Sequence, residues 1–145
     1  MRKLYKNFIN ENEVNELLSD KSLFSFNNIN LKYNNVISKI LHTIQDDFNF
    51  VIKKESYYRL EKLGKGHGWH KDTGDTNQMT WCQIGVSLLL TDNFTGGDTW
   101  YADNENLENA IKIERQKYDL IVHDSNEWHK VDSHTGNRIV LLMFI

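Results

Sequence analysis

The hydrophobic period of this chain changes near residue 50, and that change sharply limits the folds open to it. Before it, Val14, Leu17 and Leu18, and then Val36, Ile37, Ile40, Leu41 and Ile44, recur three and four apart, the spacing of amphipathic helices. After it come short β-rich runs punctuated by Gly, Asn and Asp, the pattern of an all-β sandwich or barrel. Asn10 with Glu13 three residues on reads as an N-cap with an acid at N3, so a helix is expected over 11–19. A second helix is expected from about Leu31 to Asp47. Strands are expected at 55–62, 67–72, 82–90, 98–102, 110–115, 119–123, 128–132 and 138–145. Strands at this spacing fit a mainly β, double-stranded β-helix, a cupin-like jelly roll, with the N-terminal helices covering the outside of one sheet.

With 145 residues, 39% of them hydrophobic and 12% aromatic, the chain suits one domain with one real core. Residues 1–50 are expected to form the helical support layer and 51–145 the jelly-roll core. A net charge of -3 with scattered lysines and arginines gives no nucleic-acid signal. The lone Cys82 makes no internal disulfide and reads as a small buried side chain. No signal-peptide pattern follows the basic start, and no run approaches the ~20 apolar residues of a membrane span. A soluble cytoplasmic protein of open oligomeric state is the expectation.

The chemistry concentrates in Gly66-His67-Gly68-Trp69-His70-Lys71-Asp72. Strand alternation puts His70 and Asp72 on one face and Lys71 on the other. A His-x-Asp pair is common and weak evidence alone. It gains weight from His129 in Trp128-His129-Lys130-Val131, because in an eight-stranded roll such distant strands face each other across the mouth. Two imidazoles and one carboxylate make the facial triad that leaves coordination positions open, as in non-haem Fe(II) oxygenases. Zinc accepts the same donors in hydrolytic sites, so the triad does not choose between the metals. Arg138, on the following predicted strand, tips the choice: its guanidinium suits bidentate grip of a carboxylate, the part needed for the far end of 2-oxoglutarate.

From about residue 55 to 145 the sequence resembles the iron(II)/2-oxoglutarate-dependent dioxygenases, in particular the prolyl-4-hydroxylase-like branch. The resemblance rests on His70-x-Asp72, on Asn93-Phe94-Thr95-Gly96-Gly97-Asp98-Thr99, and on His129-x-Val131 leading to Gly136-x-Arg138. It implies Fe(II) on His70, Asp72 and His129, 2-oxoglutarate held by Arg138, O₂ as oxidant, and hydroxylation of an organic substrate. A prolyl residue in a peptide is the nearest analogy, with a small molecule as the other class. The sequence departs from the family in one place. Members often carry a co-substrate-binding tyrosine on the strand before His-x-Asp, where the simplest register here puts Leu60; Tyr58, one inward step earlier, is the available candidate, with a core role as the other reading.

Gly64, Gly66 and Gly68 ahead of the metal strand are read as a loop able to close over substrate, and Gly96 and Gly97 as a turn of unusual dihedrals. His67 and His134 are expected in loops or against substrate, and His42 and His123 in structural roles. Trp69 and Trp128 flank ligands and should point away from the metal. Two readings of other classes stay open: a metal-dependent hydrolase or isomerase on a cupin-like roll, indifferent to 2-oxoglutarate, and a non-catalytic binding module on the same fold.

Overall fold

The computed structural model of the chain describes residues 1–20, 29–30, 34–62, 64–74 and 79–145, with the side chains of 29 and 30 left out. In chain order the elements are β1 (Arg2–Tyr5), α1 (Glu11–Ser19), β2 (Ile29–Asn30), α2 (Asn35–Ile44), β3 (Tyr57–Glu61), β4 (His67–His70), β5 (Ile84–Leu89), β6 (Phe94–Gly96), β7 (Thr99–Ala102), β8 (Ile111–Lys112), β9 (Leu120–Asp124), β10 (Trp128–Val131), β11 (His134–Gly136) and β12 (Val140–Phe144).

α1 starts where local chemistry tells it to. The Asn10 side chain accepts from the Glu13 backbone N–H, and the Glu13 carboxylate accepts from the Asn10 backbone N–H, a closed capping box. α2 is capped by Asn34, whose side chain accepts from Ile37 N–H at 2.8 Å. The expected start of α2 at 31–33 lies outside the described residues.

A six-stranded antiparallel sheet, in the order β1-β9-β5-β12-β3-β2, faces a four-stranded one, β4-β10-β7-β8; β11 and β6, distant in sequence, form a separate two-stranded antiparallel sheet. Alternation divides the larger sheet cleanly. Tyr58, Leu60, Val86, Leu88, Leu120, Val122, Leu141 and Met143 point outward and share one core with Val14, Leu17, Ile37, Ile40 and Ile44 of the helices. The helices therefore cover the outer face, as their apolar stripes require. Ile37, Ile40 and Ile44 are fully buried; burial of such a side chain contributes roughly 1.5–3 kcal/mol, and truncating one to alanine costs about 2–5 kcal/mol. Residues of the opposite parity, including Tyr57, Arg59, Ser87, Ile121, His123, Leu142 and Phe144, face the smaller sheet and leave a cavity between the two.

The sequence reading missed β1, which extends the larger sheet by pairing with β9 from Arg2↔His123 to Tyr5↔Leu120. The N-terminal layer is thus not purely helical. Such a segment gives no periodic signal, because four residues at a sheet edge need no sustained pattern to pair.

Candidate active site

His70 ends β4, and Asp72 lies just past it, where its backbone N–H donates to Ser125 O at 3.0 Å. His129 lies in β10 directly opposite His70. The three side chains meet at the cavity: a nitrogen from each imidazole and a carboxylate oxygen lie within 4.8 Å of one another. His129 Nε2 is 3.4 Å and His70 Nε2 3.7 Å from Asp72 Oδ1. Donors at right angles around one ion, each about 2.1 Å from it, stand about 3 Å apart. Small inward shifts bring these three to that spacing.

The backbone commits both imidazoles to the correct tautomer. His70 Nδ1 is 2.7 Å from Gly68 O, and His129 Nδ1 is 2.9 Å from Glu127 O. A carbonyl only accepts, so each Nδ1 carries a hydrogen, and Nε2, on the Asp72 side of each ring, is the nitrogen left to take a metal once its own proton is gone. Burial penalises the Asp72 charge, but hydrogen bonds from His123 and His129 outweigh it and hold its carboxyl far below the usual range. For His70, burial and then the charge of His129 lower the pKa. For His129, burial acts downward but the hydrogen bond and charge of Asp72 win, and its pKa is raised. This donor set, with two Nε2 nitrogens and one ionised oxygen aimed at a common point, fits a divalent metal.

Two further histidines line the cavity. His123, expected to be structural, is buried in β9 and places Nε2 2.6 Å from Asp72 Oδ2, while its Nδ1 is 2.8 Å from the Tyr101 hydroxyl. His67, expected in a loop or against substrate, belongs to β4 and lines the cavity. A register shift between β4 and β10 pairs His129 with His70 but Val131 with His67, one extra residue on β4. That bulge turns both His67 and His70 inward although they are three apart, which plain alternation forbids. His67 Nε2 pairs with the Glu61 carboxylate, and Arg59 reaches Glu61 at 3.4 Å.

Tyr58 is corrected by the register of β3. It is 3% exposed, sits in the core under the helices and shares a hydrogen bond with the Asn34 side chain. Tyr57 is the tyrosine that lines the cavity, stacked at a tilt on Phe144 with ring centroids 5.1 Å apart. Trp69 and Trp128 stand outside the cavity, under the ammonium groups of Lys130 and Lys71 respectively, as alternation predicts.

Arg138 is 6% exposed and does not line the metal cavity. Its guanidinium lies over the Phe94 ring, 5.8 Å from the centroid. Burial lowers its pKa, and the charges of Glu61 and Asp98 oppose that shift. Its Nε is buried without a hydrogen-bond partner among the described residues, as is that of Arg115. Arg115 donates to Ser87 O at 2.5 Å, and burial together with the charge of Arg138 pushes its pKa down to about 9. Two buried guanidiniums within electrostatic range of each other create a local demand for an anion.

The cavity itself has a volume of about 220 Å³. Among the described residues no helix is long and apolar enough to cross a membrane.

No protein-family model matches this sequence, and no curated protein matches it. Solved structures do match. A prolyl-4-hydroxylase from Pseudomonas putida superposes with a TM-score of 0.69 at 16% identity, covering 99% of this chain and 83% of the other. An oxidoreductase of the 2OG-Fe(II) oxygenase family from Burkholderia pseudomallei gives 0.66 at 13%, covering 99% and 82%. A prolyl hydroxylase from Trichoplax adhaerens, in complex with a hypoxia inducible factor oxygen degradation domain peptide fragment, gives 0.66 at 16%, covering 99% and 82%. The chain therefore has the mainly β jelly-roll fold of the 2OG-Fe(II) oxygenases.

Proposed function

We propose that this protein is a non-haem Fe(II)- and 2-oxoglutarate-dependent dioxygenase that hydroxylates an organic substrate. The observation that carries the reading is the convergence of His70 Nε2, His129 Nε2 and Asp72 Oδ1 at the cavity floor. Iron with 2-oxoglutarate and O₂ supplies oxidation of an unactivated C–H bond, chemistry that no side chain performs. The protein's share is to hold, orient and keep dry. His70, Asp72 and His129 would hold the metal at the cavity. Tyr57, Leu142 and Phe144 line that cavity with apolar surface that excludes water.

Two guanidiniums compete for the far carboxylate of the co-substrate. Arg59 lines the cavity but is already paired with Glu61. Arg138 stands outside the cavity lining within range of the Glu61 charge, is buried, and makes no ion pair among the described residues. The unpaired cation gains more from an incoming carboxylate, because its desolvation cost is already spent. Arg138 is accordingly the anchor, with Arg59 turned toward substrate.

A peptide substrate, with a prolyl residue as the hydroxylated group, is the specific form of this reading. It rests on the likeness to structures described as prolyl hydroxylases, one of them in complex with a peptide fragment. The buried free thiol of Cys82 suits a reducing compartment such as the cytoplasm. Anaerobic titration with Fe(II) and 2-oxoglutarate tests the proposal. A weak visible charge-transfer band in wild type, lost in His129→Ala, supports it; a folded, iron-loaded wild type without the band refutes it in favour of a hydrolase or binding module.

A further inference from the structure

The cavity holds a fourth imidazole that the facial triad does not use. His123 reaches Asp72 Oδ2 at 2.6 Å through Nε2, and the Tyr101 hydroxyl reaches its Nδ1 at 2.8 Å. All three residues are buried, at 4% exposure for Asp72 and His123 and 1% for Tyr101. The ionised carboxylate only accepts, so His123 Nε2 carries the hydrogen and Nδ1 accepts from Tyr101. The chain Tyr101 to His123 to Asp72 thus runs in one direction, each O–H or N–H donating onward. It ends on Oδ2, while Oδ1 is the oxygen facing His70 and His129.

The neighbourhood is built around this contact. Gly85 pairs with His123 across β5 and β9, and a Cβ at residue 85 would collide with both Asp72 Oδ2 and His123 Nε2. Only glycine at that position lets the imidazole and carboxylate meet. Tyr101 comes from β7 of the opposite sheet, so the chain of donors also ties the two sheets together beneath the metal site. The Tyr101 ring further stacks on His129, centroids 5.6 Å apart.

We infer that His123 is a positioning residue that occupies Asp72 Oδ2 and so restricts the aspartate to metal ligation through Oδ1 alone, with Tyr101 fixing the tautomer of His123. This rests on the oxygenase reading above. Restricting the aspartate to one oxygen keeps a further metal position free for the keto acid and O₂, which a two-oxygen aspartate would take. Such outer hydrogen bonds are worth roughly ten- to hundredfold in metal affinity when removed.

The test uses the whole protein, freed of metal and kept anaerobic, titrated with Fe(II) and then 2-oxoglutarate, with Co(II) as a second spectroscopic probe. His123→Phe keeps the volume and loses the donor. We expect its Fe(II) affinity to fall roughly ten- to hundredfold, with a shifted charge-transfer band and altered Co(II) d–d intensity. His123→Gln, whose amide can donate to Oδ2, should restore the band and most of the affinity. Tyr101→Phe should weaken binding alone and add nothing in the His123→Phe background. Wild-type affinity and spectra in His123→Phe would overturn the inference, and so would an additive effect of Tyr101→Phe. If His123→Phe fails to fold, failure of His123→Gln to restore the spectrum, or a Tyr101→Phe protein identical to wild type, overturns it instead. A wild type that binds no metal with 2-oxoglutarate refutes the oxygenase reading itself, which is a distinct result.

Discussion

Arg138 packs onto Gly97 so closely that a Cβ at residue 97 would stand 2.5 Å from Arg138 Cδ and 2.7 Å from its Nε. Gly97 also has φ +72°, a left-handed conformation that disfavours any side chain. The glycine pair therefore does more than turn the chain. Gly97 is the floor on which the guanidinium lies, with the Phe94 ring beside it.

Gly96 supplies an internal control for this relationship. It has φ +82°, but its Cβ would meet Ser133 O rather than Arg138. Both Gly96→Ala and Gly97→Ala should cost about 1–2 kcal/mol of stability through backbone strain. Only Gly97→Ala should also weaken 2-oxoglutarate binding, by roughly tenfold, equivalent to about 1.4 kcal/mol. Paired thermal melts and co-substrate titrations of the two variants check this, and equal titrations would show that residue 97 does not support the arginine.

Removing the guanidiniums one at a time separates their roles. Arg138→Ala should raise the 2-oxoglutarate concentration needed for half-saturation by roughly a hundredfold, matching the loss of about 3 kcal/mol expected for a charge-assisted pair. Arg59→Ala should leave that concentration nearly unchanged, because Arg59 is engaged with Glu61. The reverse ranking in equilibrium titrations would assign the anchor to Arg59.

The metal site should be sensitive to acid in a defined direction. Asp72 raises the His129 pKa in the metal-free protein, and metal takes only the neutral imidazole. Metal binding must then displace a proton from His129 below its raised pKa, so Fe(II) affinity should fall as pH drops from 7.5 to 6. Asp72→Ala removes both the anionic ligand and this coupling, and should abolish Fe(II) binding at the site. Calorimetric titration in buffers of different ionisation enthalpy counts the released proton; no release at pH 6 would contradict the assignment of His129.

How much of this was legible in the sequence follows from the range of each interaction. α1 was readable to the residue, because the Asn10–Glu13 box and the Val14–Leu17 stripe are local. His70, Asp72 and His129 were readable because a short motif carries them. The choice between a co-substrate and a core role for Tyr58 was not legible, because strand parity is set by a distant partner: Tyr58 pairs with Met143, and both point to the helices. One residue of slip exchanges every face, and nothing within β3 reveals it. His67 needed the β4 bulge, and His123 needed Gly85, which pairs with it from another strand. None of these leaves a trace at fixed sequence spacing.

A buried carboxylate holds the segment after β1 against the rest of the sheet. Asp119 is buried and accepts from Asn7 N–H and Gln116 N–H, at 2.8 and 2.9 Å, and from Lys6 Nζ at 2.9 Å. Burial alone would raise its pKa, but these hydrogen bonds and the lysine charge prevail and lower it. A depressed carboxylate contributes stability that is fully present above the unfolded pKa of about 3.9 and is lost as pH falls through the lower folded value. Asp119→Asn leaves at least one buried N–H without its acceptor and should destabilise the protein by about 1–3 kcal/mol at neutral pH. The gap between wild type and variant should narrow as pH falls below about 4, first as the unfolded carboxyl takes up its proton and then, at the lower folded value, as the folded one does. Denaturant melts at several pH values measure it, and a gap that stays constant down to pH 2 would show that the contact stabilises by packing and not by charge.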